Sequence, residues 1–182
     1  MTCIVGFSYK KKCYVGGDSA GSEANNGNIA ARLDPKVFVR NGYLFGYTSS
    51  FRMGDILQYI CPPPEVKAAK ISLREHLIVH WIPVLREKLK AEGCIEIKES
   101  KEKGGTFIVA YRGALCTIHD DFQVSAVIAN YCAVGSGYMY ALGAFHATSS
   151  LDMKPKERVT AALSAAAFHN AYVREPFTII ES

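Results

Sequence analysis

Apolar positions along the chain change period several times, and each change marks an element. Thr2–Phe7 and Cys13–Gly17 are short β-rich runs on either side of the lysine-rich tip Tyr9-Lys-Lys-Lys12, which predicts a hairpin opening directly at the N-terminus. Lys36-Val-Phe-Val-Arg40, the turn pair Asn41-Gly42 and Tyr43-Leu-Phe-Gly-Tyr47 predict a second hairpin. The stretch between them, Ser19–Asn28, is rich in Gly, Asn and Ser and reads as a loop. From Ser50 the spacing becomes helical, with Phe51, Ile56, Leu57 and Ile60 apolar, until Cys61-Pro-Pro-Pro64 removes the backbone donors that a helix needs. Ser72-Leu-Arg-Glu75 is a capping box that opens a second helix running towards Gly93, with a kink expected at Pro83.

Residues 98–105 are charged and read as a connector. A third hairpin follows, from Gly105-Thr-Phe-Ile-Val-Ala-Tyr111 through Arg112-Gly113 to Ala114–His119. Next come Tyr131-Cys-Ala-Val-Gly-Ser-Gly137, a small-residue helix from about Tyr138, an alanine-rich helix after Pro155 and a closing strand, Pro176–Ile180. Helices thus occur in pairs between groups of strands. Two packed sheets covered on both outer faces suit this order better than a βαβ alternation. Neither an internal repeat nor a linker interrupts it, so one domain over residues 1–182 is expected.

Composition removes several function classes. The 182 residues are 49% apolar, an ordinary value for a globular chain with a substantial core. The formal charge of +4 comes from 21 basic and 17 acidic residues scattered over the sequence rather than gathered into a phosphate-binding stripe, so nucleic acid is not implied. The apolar opening is too short for a secretory segment and no run approaches membrane-spanning length. Six cysteines without a CxxC pair sit mostly among apolar residues, which fits reduced thiols in the cytoplasm.

Five motifs, in order, carry a resemblance: Met1-Thr-Cys-Ile-Val-Gly6, Val15-Gly-Gly-Asp-Ser19, Lys36-Val-Phe-Val39, Thr106-Phe-Ile-Val-Ala-Tyr111 and Ala133-Val-Gly-Ser-Gly137. The chain resembles proteasome β-type subunits and the bacterial HslV peptidase, threonine peptidases among the N-terminal-nucleophile hydrolases. The resemblance implies an α+β, four-layer αββα sandwich. It also implies that Met1 is removed, with no longer propeptide expected, and that Thr2 then offers a hydroxyl nucleophile and an α-amine that takes its proton. The distance from Thr2 to Asp18 equals the family spacing between nucleophile and aspartate. Lys36 matches the family lysine, whose ammonium favours an alkoxide-like hydroxyl while Asp18 orients it, and Arg32 is the weaker substitute. Ser49, where the family has glycine, is placed as the backbone oxyanion donor. Ser136 is placed beside the nucleophile, and Ala20, Ser22 and Tyr47 as substrate contacts.

Each assignment has a plain structural alternative. Thr2 alone is a β-branched residue opening a strand, Asp18 and Lys36 are surface charges, Ser50 is an N-cap and Ser136 is a tight turn. Cys3 is a rival nucleophile that lacks the α-amine and points to the opposite strand face. The acidic residue that the family often carries on its last helix is missing from Ala167-Phe-His-Asn170, which leaves His169 or Asn170 as replacements. His76 and His80 have i,i+4 spacing but no accompanying glutamate, so packing outweighs a metal site. Tyr138, Tyr140 and Phe145 read as core or subunit interface, and His119-Asp-Asp121 as a solvated turn.

The expected function is peptide-bond hydrolysis without a cofactor or metal, on a polypeptide substrate, inside a homo-oligomeric ring with an ATPase unfoldase as a candidate partner. A surplus of apolar residues on the second helix (Leu77, Ile78, Trp81, Ile82, Val84 and Leu85) suggests a second buried face for ring contacts. A silent ring or scaffold subunit and a small-molecule amidase on the same fold are the rival readings.

Overall fold

The computed structural model describes residues 1–22, 28–66 and 71–182. Residues 23–27 of the loop expected at Ser19–Asn28 lie outside the described residues. The strands are β1 (Ile4–Tyr9), β2 (Lys12–Gly17), β3 (Ala20–Ser22), β4 (Ile29–Ala31), β5 (Val37–Arg40), β6 (Tyr43–Tyr47), β7 (Glu96–Lys98), β8 (Lys101–Lys103), β9 (Phe107–Tyr111), β10 (Ala114–Ile118), β11 (Val124–Ala126), β12 (Tyr131–Val134) and β13 (Thr178–Glu181). The helices are α1 (Phe51–Asp55), α2 (Leu73–His76), α3 (Ile82–Ala91), α4 (Tyr138–Ala147) and α5 (Pro155–His169), with π-helical segments at Ile56–Ile60 and Leu77–Trp81.

The three expected hairpins form through turns with both central residues at positive φ, which match the right-handed twist of the strands they join. These are Lys10-Lys11, Asn41-Gly42 and Arg112-Gly113. The first hairpin sits at the centre of a four-stranded sheet ordered β12-β1-β2-β13, and the other two build a five-stranded sheet ordered β11-β10-β9-β6-β5. Ile4, Val15, Val37, Leu44, Ile108 and Val134 fill the space between the sheets. Alternate residues of β1 face outwards, where Val5 and Phe7 pack with Phe145 of α4 and Val159 and Leu163 of α5. On the other side Phe45, Phe107 and Val109 meet Leu57, Leu77, Trp81 and Leu85. Helices on sheet, sheet on sheet and sheet on helices make the four-layer αββα sandwich that the order of elements implied.

Several local expectations change. The charged connector 98–105 holds the β7–β8 ribbon, and the Ser19–Asn28 loop contributes β3, which pairs with β4. The β7–β8 ribbon lacks an apolar rhythm because its stabilisation is polar: Glu102 bridges Arg86 and Lys90, and Lys103 pairs with Asp120 at 3.2 Å. Pro83 falls in the first turn of α3, just after the π segment Leu77–Trp81, and its missing N–H is spared there rather than breaking an established helix. Ser72 accepts from Glu75 N at 3.1 Å, as the capping signal required. Of the apolar surplus on this second helix, Leu77, Trp81, Ile82 and Leu85 are buried against the sheet; Ile78 and Val84 stay exposed, as does Val79 beside them.

Candidate active site

Thr2 lies two residues before the start of β1, and Asp18 immediately follows β2. Antiparallel pairing of Ile4 with Gly17 brings these two residues side by side, which is why a separation of 16 residues puts them in contact. Lys36 precedes β5 on the facing sheet and reaches across. Its Nζ donates to Thr2 Oγ1 at 2.5 Å and to Asp18 Oδ1 at 2.9 Å, and the Thr2 hydroxyl donates to Asp18 Oδ1. All three residues are buried.

Asp18 is held by backbone as well as side chains. Cys3 N donates to Oδ1 at 3.0 Å, and Ala20 N and Arg174 N donate to Oδ2 at 3.0 and 3.5 Å. Such bonds fix a carboxylate in one orientation. Burial pulls the Lys36 ammonium below the usual lysine range, and the charge of Asp18 opposes that shift. Burial, reinforced by Asp18, pushes the Cys3 thiol up to about 12, so it stays protonated near neutral pH. Its side chain packs with Val5 and Phe145 on the helix-covered sheet face, away from Lys36.

Ser49 occupies a tight turn between β6 and α1 at φ 77°, a left-handed conformation that glycine adopts readily and serine rarely. The backbone therefore keeps a glycine-like shape without the glycine. Thr48 N donates to Thr106 O at 3.0 Å and Ser49 Oγ accepts from Thr106 N at 3.3 Å, which ties the turn to the start of β9. Ser50 caps α1 by accepting from Met53 N at 3.2 Å. Among the described residues, the Ser49 N–H makes no hydrogen bond within the chain. Ser49 also lines the cavity beside Thr2, where a free amide can meet a polarised carbonyl oxygen.

The other flank comes from Gly135-Ser-Gly137. Ser136 Oγ and Gly137 N both donate to Thr2 O at 3.3 Å, so Ser136 holds the backbone of Thr2 rather than its hydroxyl. Gly135 has φ 95°, and a Cβ there would lie 2.3 Å from Thr2 O, a space only glycine leaves open.

Not every residue implicated by sequence enters this cluster. Tyr47 lines the cavity. Ala20 contributes its backbone amide to Asp18, and Ser22 pairs with Ile29 along the β3–β4 ribbon. Arg32 lies at the surface, bonded to Asp34 and stacked on Phe51, and makes no hydrogen bond to Thr2 or Asp18. His169 is exposed and stacks on Tyr140, and Asn170 Oδ1 accepts from Tyr172 N. Neither side chain takes the place of the missing carboxylate. The loop after α5 instead supplies backbone, since Arg174 N reaches Asp18 and Arg174 O accepts from Ser19 N. Peptide groups carry no residue-type signature, so Arg174 left no trace in the sequence, and Thr106 stood out only as the start of a strand motif.

His76 is buried against Pro64 O at 3.0 Å and its ring lies 5.4 Å from that of His80. Among the described residues no group of three or more His, Cys, Asp or Glu is arranged to hold a metal ion. Phe145 is core, whereas Tyr138 and Tyr140 are exposed. Among the described residues no helix is long and apolar enough to cross a membrane.

No protein-family model and no curated protein matches the sequence. Solved structures do. The Thiobacillus denitrificans protein BPH superposes with a TM-score of 0.80 at 17% identity, over 99% of this chain and 97% of that one. HslV from Trypanosoma brucei gives 0.68 at 15% identity, over 98% of both chains. Anbu from Yersinia bercovieri gives 0.64 at 13% identity, over 98% of this chain and 80% of that one. Element order, layering and these superpositions together establish that the chain has the HslV-like, proteasome-type fold.

Proposed function

We propose that this chain, as one domain, is an N-terminal threonine hydrolase that cleaves peptide bonds once Met1 has been removed. The observation that carries the reading is the buried contact of Lys36 Nζ with the Thr2 hydroxyl, with Asp18 anchoring both. A hydroxyl beside an ammonium in a water-poor site develops negative charge at lower cost than one in bulk water. The Met1 amine is already pulled below its usual range by burial and then by the Lys36 charge. Moved one residue inward, to Thr2, an amine under the same influences is a good proton acceptor near neutral pH.

In this mechanism the α-amine takes the hydroxyl proton through a water, Thr2 Oγ1 attacks the peptide carbonyl, and Ser49 N–H receives the oxyanion. The amine then protonates the leaving group, and water hydrolyses the ester on Thr2. Asp18 and Lys36 set the electrostatics, and Ser136 with Gly137 holds Thr2 in place. No step calls for a metal or an organic cofactor. A polypeptide substrate, a cytoplasmic site of action and a closed homo-oligomeric ring follow from the same reading, with an ATPase unfoldase as a candidate partner.

Epoxomicin supplies the test, because BPH is known in complex with it. Intact mass of the purified protein is expected to show loss of Met1, then addition of one inhibitor that peptide mapping localises to Thr2. Stoichiometric retention of Met1 with no adduct would overturn the reading and favour a silent ring or scaffold subunit. Light scattering at several concentrations checks the assembly. A multiple of the 19.9 kDa chain is expected, and a persistent monomer that still cleaves peptides would remove the ring and leave the chemistry.

A further inference from the structure

We propose that the site selects substrates whose residue on the acyl side of the cleaved bond is small: glycine, alanine or serine. This rests on Thr2 being the nucleophile. With the attacked carbonyl at Thr2 Oγ1 and its oxygen towards Ser49 N–H, the side chain of the acyl residue has to enter the adjoining cavity. That cavity is lined by residues that include Thr2, Lys36, Tyr47, Ser49 and Phe51, and with Met1 still forming part of its lining it measures about 20 Å³, little more than the space of one water.

Removal of Met1 takes away one lining residue and enlarges the cavity, but leaves its aromatic wall of Tyr47 and Phe51, so the size limit rests on that wall. Tyr47 is buried and lies edge-on to Phe51, with ring centroids 6.3 Å apart. Behind it stands Gly54, packed so closely that a Cβ there would lie 2.2 Å from the Tyr47 ring. The ring has no room to retreat. Phe51 is covered on its other side by the Arg32 guanidinium, 3.9 Å from the ring centroid, and Arg32 is itself paired with Asp34. A branched or aromatic substrate side chain would have to displace the Tyr47 ring, which Gly54 backs, or shift Phe51 together with the guanidinium that covers it.

The test uses the Met1-free chain and acetyl-tripeptide aminocoumarin amides that differ only in the residue bearing the coumarin. Alanine and serine are expected to exceed leucine and phenylalanine in kcat/KM by about 10- to 100-fold, the range over which pocket size discriminates. Tyr47→Ala and, independently, the less buried Phe51→Ala are expected to invert that order. Leucine turned over as fast as alanine by the unaltered chain would overturn the proposal. A second measurement separates pocket from nucleophile: binding of acetyl-tripeptides ending in alanine or leucine to the Met1-free Thr2→Ala chain. Tighter binding of the alanine peptide supports the pocket, even if no amide is ever cleaved and Thr2 proves not to be the nucleophile. Equal or weaker binding of the alanine peptide overturns it.

Discussion

Thr2→Ala is expected to reduce peptide hydrolysis to the assay background, a loss on the order of 10³-fold or more when a sole nucleophile is deleted. The fold is expected to survive. The variant loses the Thr2 hydroxyl bonds to Asp18 and Lys36, but the Lys36–Asp18 pair at 2.9 Å and the three backbone donors on Asp18 remain. One buried hydroxyl with its hydrogen bonds is worth about 1 kcal/mol net, which lowers Tm by about 2–4 °C in a domain of this size. Parallel thermal melts and peptide assays check both halves. Turnover that persists in Thr2→Ala would mean that another group attacks; Cys3, with its thiol held up at about 12, is a poor candidate for it.

Lys36→Ala is expected to be the second most damaging change, and in a different way. It removes the only cation in contact with the Thr2 hydroxyl among the described residues and leaves Asp18 buried without its ammonium partner. Losing one member of a buried pair costs about 3–5 kcal/mol, so stability falls along with rate. The rate of Thr2 modification per folded molecule, read as formation of the epoxomicin adduct, is expected to drop by about 10²- to 10³-fold, as for other preorganised electrostatic groups. Arg32→Ala is the control: its partner Asp34 is solvent-exposed, and surface pairs of that kind contribute about 0–1 kcal/mol. Asp18→Asn is expected to fall between the two or to match Lys36→Ala. Loss of activity in Arg32→Ala with Lys36→Ala unimpaired would reverse the assignment.

The pH dependence follows from the same burial. A depressed Lys36 loses its proton at lower pH than an ordinary lysine, so the alkaline limb of the rate profile should fall below the usual value of about 10.4. The acidic limb belongs to the α-amine, which accepts a proton only when neutral.

The layered fold was legible from the first hairpin, the Asn41-Gly42 turn and the pairing of helices between strand groups. The Thr2–Asp18 contact was legible as a distance, because a hairpin with a fixed turn converts separation in sequence into adjacency in space. Lys36 was ambiguous from sequence, since Arg32 in the loop before it offered an alternative; the structure puts Lys36 Nζ on the Thr2 hydroxyl and pairs Arg32 with Asp34 at the surface. Three features had no sequence signature. Ser49 takes a backbone shape that its residue type disfavours, Arg174 acts through its peptide group, and the β7–β8 ribbon is held by charges without an apolar period.

The order in which the site is assembled has a consequence for synthesis on the ribosome. Thr2, Asp18 and Lys36 all emerge within the first 36 residues, yet the groups that clamp them come from the far end of the chain. Ser136 and Gly137 secure Thr2, and Arg174 closes over Asp18. If Thr2 is the nucleophile, a nascent chain displays it long before it is oriented, and a truncated product carries it without its setting. On the proposed mechanism, hydrolysis waits until translation has passed Arg174, the last of these clamping groups.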